Sequence, residues 1–156
     1  MNNNETFIYM GGDMVVPQDV VRVRVHPSVT VIPEKAFYQQ RKLEEVELCE
    51  GLLEIGSNAF GGSWTKSCVF KRIRIPSSVK VIGSNAFYYC KKLETVELCE
   101  GLLEIGEHAF SQCRSSKKIK IPSTVTIIHN NAFSSCSNSF KTSSNLISAA
   151  SNVTNK

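Results

Sequence analysis

The sequence predicts a solenoid of about five stacked coils, each of about 23 residues, and three observations carry that expectation. The eleven residues VELCEGLLEIG stand at 46–56 and again, unchanged, at 96–106. The pair Ala-Phe recurs with Phe at positions 37, 60, 87, 110 and 133, at spacings of 23, 27, 23 and 23 residues. Aligned on that Phe, three columns are apolar in every coil: Val23/Val46/Ile73/Val96/Ile119, Val25/Leu48/Ile75/Leu98/Ile121 and Ile32/Ile55/Ile82/Ile105/Ile128. A fixed period in this range marks a stack in which each coil buries its apolar side chains against its neighbours.

Residues 1–6 are expected to be a flexible start. In the next stretch, FIYMGGDMVVPQDVV, the Gly11-Gly12 pair and Pro17 break the chain into a short strand and a turn. Residues 7–22 are therefore read as a cap over the first open edge of the stack. The solenoid itself runs over 23–136. In each coil the first two apolar columns flank one polar position, the pattern of a half-buried strand. Gly56, Gly83 and Gly106 then permit a sharp turn where a side chain would crowd. The Ala-Phe pair follows on a short helical turn, with Ala allowing close approach and Phe filling the core. The one long step carries the insertion GGSWTKSC, which adds four residues to a surface loop. Residues 137–156, rich in Ser and Asn, are expected to be a disordered tail.

The coils come in two kinds. VELCEGLLEIGSNAF and VELCEGLLEIGEHAF are one, IRIPSSVKVIGSNAF and IKIPSTVTIIHNNAF the other, and the copied unit is a pair of coils. The stretches LEEVEL and LETVEL fit the L-x-x-L-x-L strand of leucine-rich repeats, and IRIPSSVKVIGSNAFYYCKKL closely resembles the unit of the BspA-like leucine-rich-repeat family. The resemblance covers about residues 20–136. It implies a right-handed leucine-rich-repeat solenoid with a parallel β-sheet on the concave face and short turns or strands on the convex side. It also implies a protein-interaction role. Coil two departs from the unit, lacking its Cys and Leu at the insertion, and coil five fades into SSCSNSFKTSSN.

Composition excludes several functions. Of 18 basic residues, two (Lys141 and Lys156) follow Phe133, where no acid lies, so the body holds 16 against 14 acids, a charge of +2. Such a balance argues against a nucleic-acid partner. The start has no basic n-region or long apolar run and nothing reaches the roughly 18 apolar residues of a membrane span. The chain is therefore expected to be intracellular and cytoplasmic, with reduced thiols, and monomeric. Five of the six cysteines fall in columns, Cys90, Cys113 and Cys136 three residues after the coil Phe and Cys49 and Cys99 in another column; Cys68 is in the inserted loop. No C-x-x-C pair exists, so no metal is expected. Small apolar cysteines suit a buried ladder, and the protein is expected to fold with neither metal nor disulfide. Cys68, on its loop, is the candidate for a reactive thiol. The histidines, His26, His108 and His129, occupy different columns with no nucleophile placed beside them. No catalytic residue, cofactor site or enzyme activity is expected.

The charges are more informative. Between the buried strand positions lie Arg24, Glu47, Arg74, Glu97 and Lys120, and just outside them Arg22, Glu45, Arg72, Thr95 and Lys118. Signs alternate from coil to coil in the first row and nearly so in the second, so glutamates of one coil type meet cations of the other. The charged residues among these, with Trp64 of the insertion and Tyr88 beside the coil Phe, are the candidate partner-binding positions. The function expected is a non-enzymatic protein–protein interaction scaffold. The alternative is a cell-surface or adhesion protein, or a fragment of one.

Overall fold

The computed structural model describes residues 5–136 and 141–142. Among them there is no helix; the chain is a stack of short parallel strands. Each coil opens with a first strand: β2 (Arg22–Val25), β4 (Glu45–Glu47), β6 (Arg72–Ile75), β8 (Thr95–Leu98) and β10 (Lys118–Ile121). A turn follows, then a two-residue second strand: β3 (Val31–Ile32), β5 (Glu54–Ile55), β7 (Val81–Ile82), β9 (Glu104–Ile105) and β11 (Ile127–Ile128). β1 (Thr6–Tyr9) lies parallel to β2. The second strands form one unbroken sheet in the order β11-β9-β7-β5-β3.

The first strands do not form one sheet. β1, β2 and β4 make one, and β6, β8 and β10, joined by β12 (Lys141–Thr142), make another. The break falls at the 27-residue step between the second and third coils. Val46 and Leu48 of the second coil are only half-buried, whereas their column mates Ile73 and Ile75 are buried. β12 lies within the stretch expected to be disordered. Lys141 and Thr142 pair there with Lys120 and Ile121. The rest of 137–156, and residues 1–4, lie outside the described residues.

The core is a column of rings. Phe37, Phe60, Phe87, Phe110 and Phe133 stack face to face, with centroids 4.9, 5.3, 5.0 and 5.4 Å apart and planes within 6°. Tyr9 closes the start of the column, meeting the edge of Phe37 at 5.0 Å. The expected helical turn around Ala-Phe is absent. In its place the Phe amide of each of the first four coils donates to the Ala carbonyl of the next, at 2.7–2.8 Å. The residue two before Phe (Lys35, Asn58, Asn85, His108, Asn131) takes a left-handed φ of 54–60°. Asn adopts that conformation more readily than other side-chain-bearing residues, which accounts for the recurrent "NAF". Gly83 and Gly106 lie against the preceding coil: a Cβ at Gly106 would sit 2.6 Å from the Ser84 nitrogen, and one at Gly83 2.8 Å from that of Ser57. The close approach of two backbones, not a special φ, requires glycine there.

The two coil types are joined at the turn after the first strand. The Glu50 carboxylate accepts hydrogen bonds from the Ser77 amide (3.2 Å), the Ser77 hydroxyl (3.2 Å) and the Ser78 amide (3.1 Å). Glu100 repeats this with the Ser123 amide and hydroxyl (3.2 and 3.0 Å) and the Thr124 amide (3.3 Å). In return, the amides of Gly51 and Gly101 donate to the hydroxyls of Ser78 and Thr124 at 3.0 and 2.9 Å. Glu-Gly in one coil thus matches Ser-Ser or Ser-Thr in the next, and the carboxylate satisfies turn amides that no strand serves.

Cysteine chemistry differs from the sequence expectation. Cys68 is buried, and a disulfide joins it to Cys90 with Cα atoms 5.0 Å apart. It is therefore neither an exposed loop thiol nor free. Folding the insertion outward brings Cys68 back under the Cys column, and Phe70 then fills the place that Leu43 and Leu93 hold in their coils. Coil two thus lacks neither element; it supplies both after the insertion. Cys49, Cys99, Cys113 and Cys136 are free. Burial pushes the Cys113 thiol well up, and a hydrogen bond with Cys113 lowers that of Cys136.

Candidate functional site

The paired charges lie where the alternation places them, on the outward positions of the first strands. Arg22 pairs with Glu45 at 3.1 Å, Arg24 with Glu47 at 2.6 Å and Arg74 with Glu97 at 3.2 Å. The hydrogen bond and charge of Glu47 raise Arg24 above its ordinary value; Cys99 first, then Glu97, do the same for Arg74. Arg72 and Lys118 both stand opposite Thr95 in register, and Lys120 stands opposite Lys141. Because β4 and β6 belong to separate sheets, the alternation is not one continuous lattice. It consists of one block on either side of the insertion.

A second surface forms at the insertion. Trp64 is exposed (64%) and stands over the loops of coils three and four. The Lys91 ammonium sits 3.9 Å from the centre of the Trp64 ring and donates to the Trp64 carbonyl at 3.0 Å. It also lies 5.1 Å from the Tyr89 ring, whose edge meets Trp64 at 6.3 Å. The Arg114 guanidinium lies 5.7 Å from the Trp64 ring, with Nε and a terminal nitrogen donating to Gln112 Oε1 at 3.0 and 2.8 Å. Tyr88 packs edge-on against Tyr89 at 4.7 Å and faces His108 at 6.3 Å. Tyr89 and Gln112, two residues after their Phe, have left-handed φ values of 60° and 64°.

Trp64 and Tyr88 are legible in the sequence as candidates; Lys91 and Arg114 are not among the expected positions. Their only signal is columnar, since each stands four residues after its coil Phe. A third exposed feature is a zigzag of aliphatic side chains along the second-strand sheet, Val31, Leu53, Leu103 and Ile127, each 43–47% exposed. Among the described residues no group of three His, Cys, Asp or Glu side chains converges to hold a metal, and no helix is long and apolar enough to cross a membrane.

Stacked parallel coils with buried aliphatic columns and exposed, coil-specific surfaces define the class of leucine-rich-repeat proteins. A comparison with protein families matches residues 64–154 to the family described as "BspA type Leucine rich repeat region (6 copies)". More than half of the chain is matched, and the chain belongs to this family. The match starts inside the insertion and runs past the expected end of the solenoid at 136. Solved structures agree in fold. A leucine-rich repeat protein from Bacteroides capillosus is 31% identical over 60% of this chain and 64% of that one, with a TM-score of 0.51. The pneumococcal vaccine antigen PcpA is 22% identical over 86% of this chain and 33% of that one, with a TM-score of 0.68. A leucine rich cell surface protein from Faecalibacterium prausnitzii is 26% identical over 79% and 39% of the two chains, with a TM-score of 0.55. The chain thus spans 33–64% of the length of these structures. A comparison with curated proteins finds no match.

Proposed function

We propose that this chain is a non-enzymatic protein-binding module and that the surface around Trp64 is its docking point. The observation that carries this reading is Trp64 itself. A large ring is held out from the stack, 64% exposed, on the one segment that breaks the period. It is fixed there by Lys91 and Tyr89, not left to wander. Exposed Trp and Tyr on a rigid support are the usual anchors of protein interfaces, since they bury large area at small entropic cost. The test is cross-linking of wild type and Trp64→Ala in an extract of the source cell, read by mass spectrometry. Loss of specific partners with Trp64→Ala supports the reading; identical partners for both proteins overturn it.

A cell-surface setting is favoured over the cytoplasmic one expected from the sequence. The Cys68–Cys90 disulfide suits an oxidising exterior, and one of the similar structures is a cell surface protein. Labelling intact cells with an impermeant amine reagent decides the matter: a labelled protein places it outside, and labelling only after lysis places it within.

A further inference from the structure

We propose that Cys113 and Cys136 are a second coil-to-coil crosslink site, a dithiol that closes to a disulfide by exchange with a small disulfide. This goes beyond the reading of Trp64 and does not rest on it. The copied unit is a pair of coils, so coils two and three correspond to coils four and five. The two pairs are bonded alike at the turn, where Glu50 holds Ser77 and Ser78, and Glu100 holds Ser123 and Thr124. The first pair also carries the Cys68–Cys90 disulfide. Its counterpart in the second pair is Cys113 with Cys136, both free.

The geometry suits a bridge. The Sγ atoms of Cys90, Cys113 and Cys136 lie 3.4, 3.2 and 3.0 Å from the carbonyl oxygens of Phe60, Phe87 and Phe110. They therefore occupy one place in three successive coils. Adjacent coils are stepped by about 4.8 Å, and disulfides span Cα separations of roughly 4.4–6.8 Å. Cys68 and Cys90 do so at 5.0 Å. A hydrogen bond already joins the Cys113 and Cys136 side chains. Cys49 and Cys99 have no such option. They stand two coils apart, roughly 10 Å, with Pro76 between them in the column.

The two thiols are unequal in the way exchange requires. Cys136 is half-buried, and the hydrogen bond from Cys113 lowers its pKa against the cost of desolvation. Cys113 is buried, and burial holds its thiol well up. The accessible thiolate is the one that reacts. The Cys136 thiolate attacks one sulfur of a small disulfide, whose S–S bond breaks and releases a first thiolate. Cys113 then loses its proton to solvent and attacks the Cys136 sulfur, expelling the second thiolate. Two protein thiols are oxidised, and the small disulfide is reduced to two thiols that take up the protons. The new bond fastens coil five to coil four.

The probe is oxidised glutathione, added to the full chain carrying Cys49→Ser and Cys99→Ser, which leaves Cys113 and Cys136 of the four free thiols. Both should disappear from a thiol titration in denaturant, and mass mapping should join Cys113 to Cys136. Adding Cys113→Ala should stop the reaction at its first step, with one glutathione held on Cys136. Adding Cys136→Ala should leave Cys113 unmodified. Before oxidation, Cys136 should be alkylated on the order of tenfold faster than Cys113. A thermal midpoint confirms that each variant folds, and the map of the wild-type chain decides the matter if one does not. Persistence of both thiols, a bridge from Cys113 to any other cysteine, no trapped glutathione in the Cys113→Ala protein or faster alkylation of Cys113 overturns the proposal.

Discussion

Replacing Glu100 with Gln leaves the donors of the next turn facing a neutral, half-donating amide in place of a carboxylate. The amide and hydroxyl of Ser123, joined by Thr124, hold the Glu100 carboxyl below its ordinary range against a small cost of desolvation. A folded-state pKa below the unfolded value means that the contribution is fully present above the usual carboxylate range. It fades as pH falls through the lowered folded value. Wild type is therefore expected to exceed Glu100→Gln in urea midpoint at pH 7, and the gap should close under acid. A gap independent of pH would show that the turn is not held by the ionised carboxylate. The adjacent Gly101 is constrained in another way. Its φ is +110°, and an added methyl group would overlap the Ser77 carbonyl oxygen. Gly101→Ala should lose about 1–3 kcal/mol by chemical denaturation.

The insertion is two things in one loop. Ser63 and Lys66 exchange backbone hydrogen bonds of 2.8 and 3.3 Å, and the Lys66 carbonyl comes within 2.5 Å of where a Gly62 Cβ would stand. Removing residues 63–66 therefore joins ends that already meet, and should lower stability by less than about 1 kcal/mol. Phe70→Ala empties a core site that is 1% exposed, and should lose about 3–5 kcal/mol. Comparable losses for the two would mean that the loop itself is packed. The period, the buried columns and the Phe stack are readable in the sequence, because burial alone dictates their alternation. Alignment on Phe alone makes coil two look deficient. Counting back from Ile73 places Phe70 under Leu93, but Cys68 stands two residues before Phe70 where Cys90 stands three before Leu93, so counting alone does not pair the cysteines. The left-handed residues before Ala-Phe are also written in three of the coils, as Asn58, Asn85 and Asn131. Local spacing does not distinguish them from a helical turn, so the sequence leads to the wrong one of the two.

At the scale of the molecule, the divided first-strand sheet decides how charge reversals behave. Arg24 is flanked in register by Ile8 on one side and Glu47 on the other, and β4 ends its sheet. Arg24→Glu should lower the thermal midpoint at low ionic strength, and the loss should shrink in salt. Exchanging the pair, Arg24→Glu with Glu47→Arg, should recover the wild-type midpoint. An uninterrupted lattice would allow only partial recovery, because the arginine introduced at position 47 would then face Arg74. The break itself cannot be read from column signs, which alternate through the insertion without a gap. It depends on how the extra residues fold out between coils. The same excursion creates the Trp64 surface, so the candidate site and the flaw in the sheet share one cause.

The Glu-Gly to Ser-Ser junction also makes the stack a ruler with a double graduation. The carboxylate of one coil type and the turn amides of the other fit only in alternation. A single added coil would set two of one kind against each other, glutamate facing glutamate or serine turn facing serine turn. Adding or removing a pair preserves every junction. Lengths in this lineage should then change by even numbers of coils, each step extending the surface by roughly 10 Å at about 4.8 Å per coil. The verbatim string recurs one such pair of coils, fifty residues, further on.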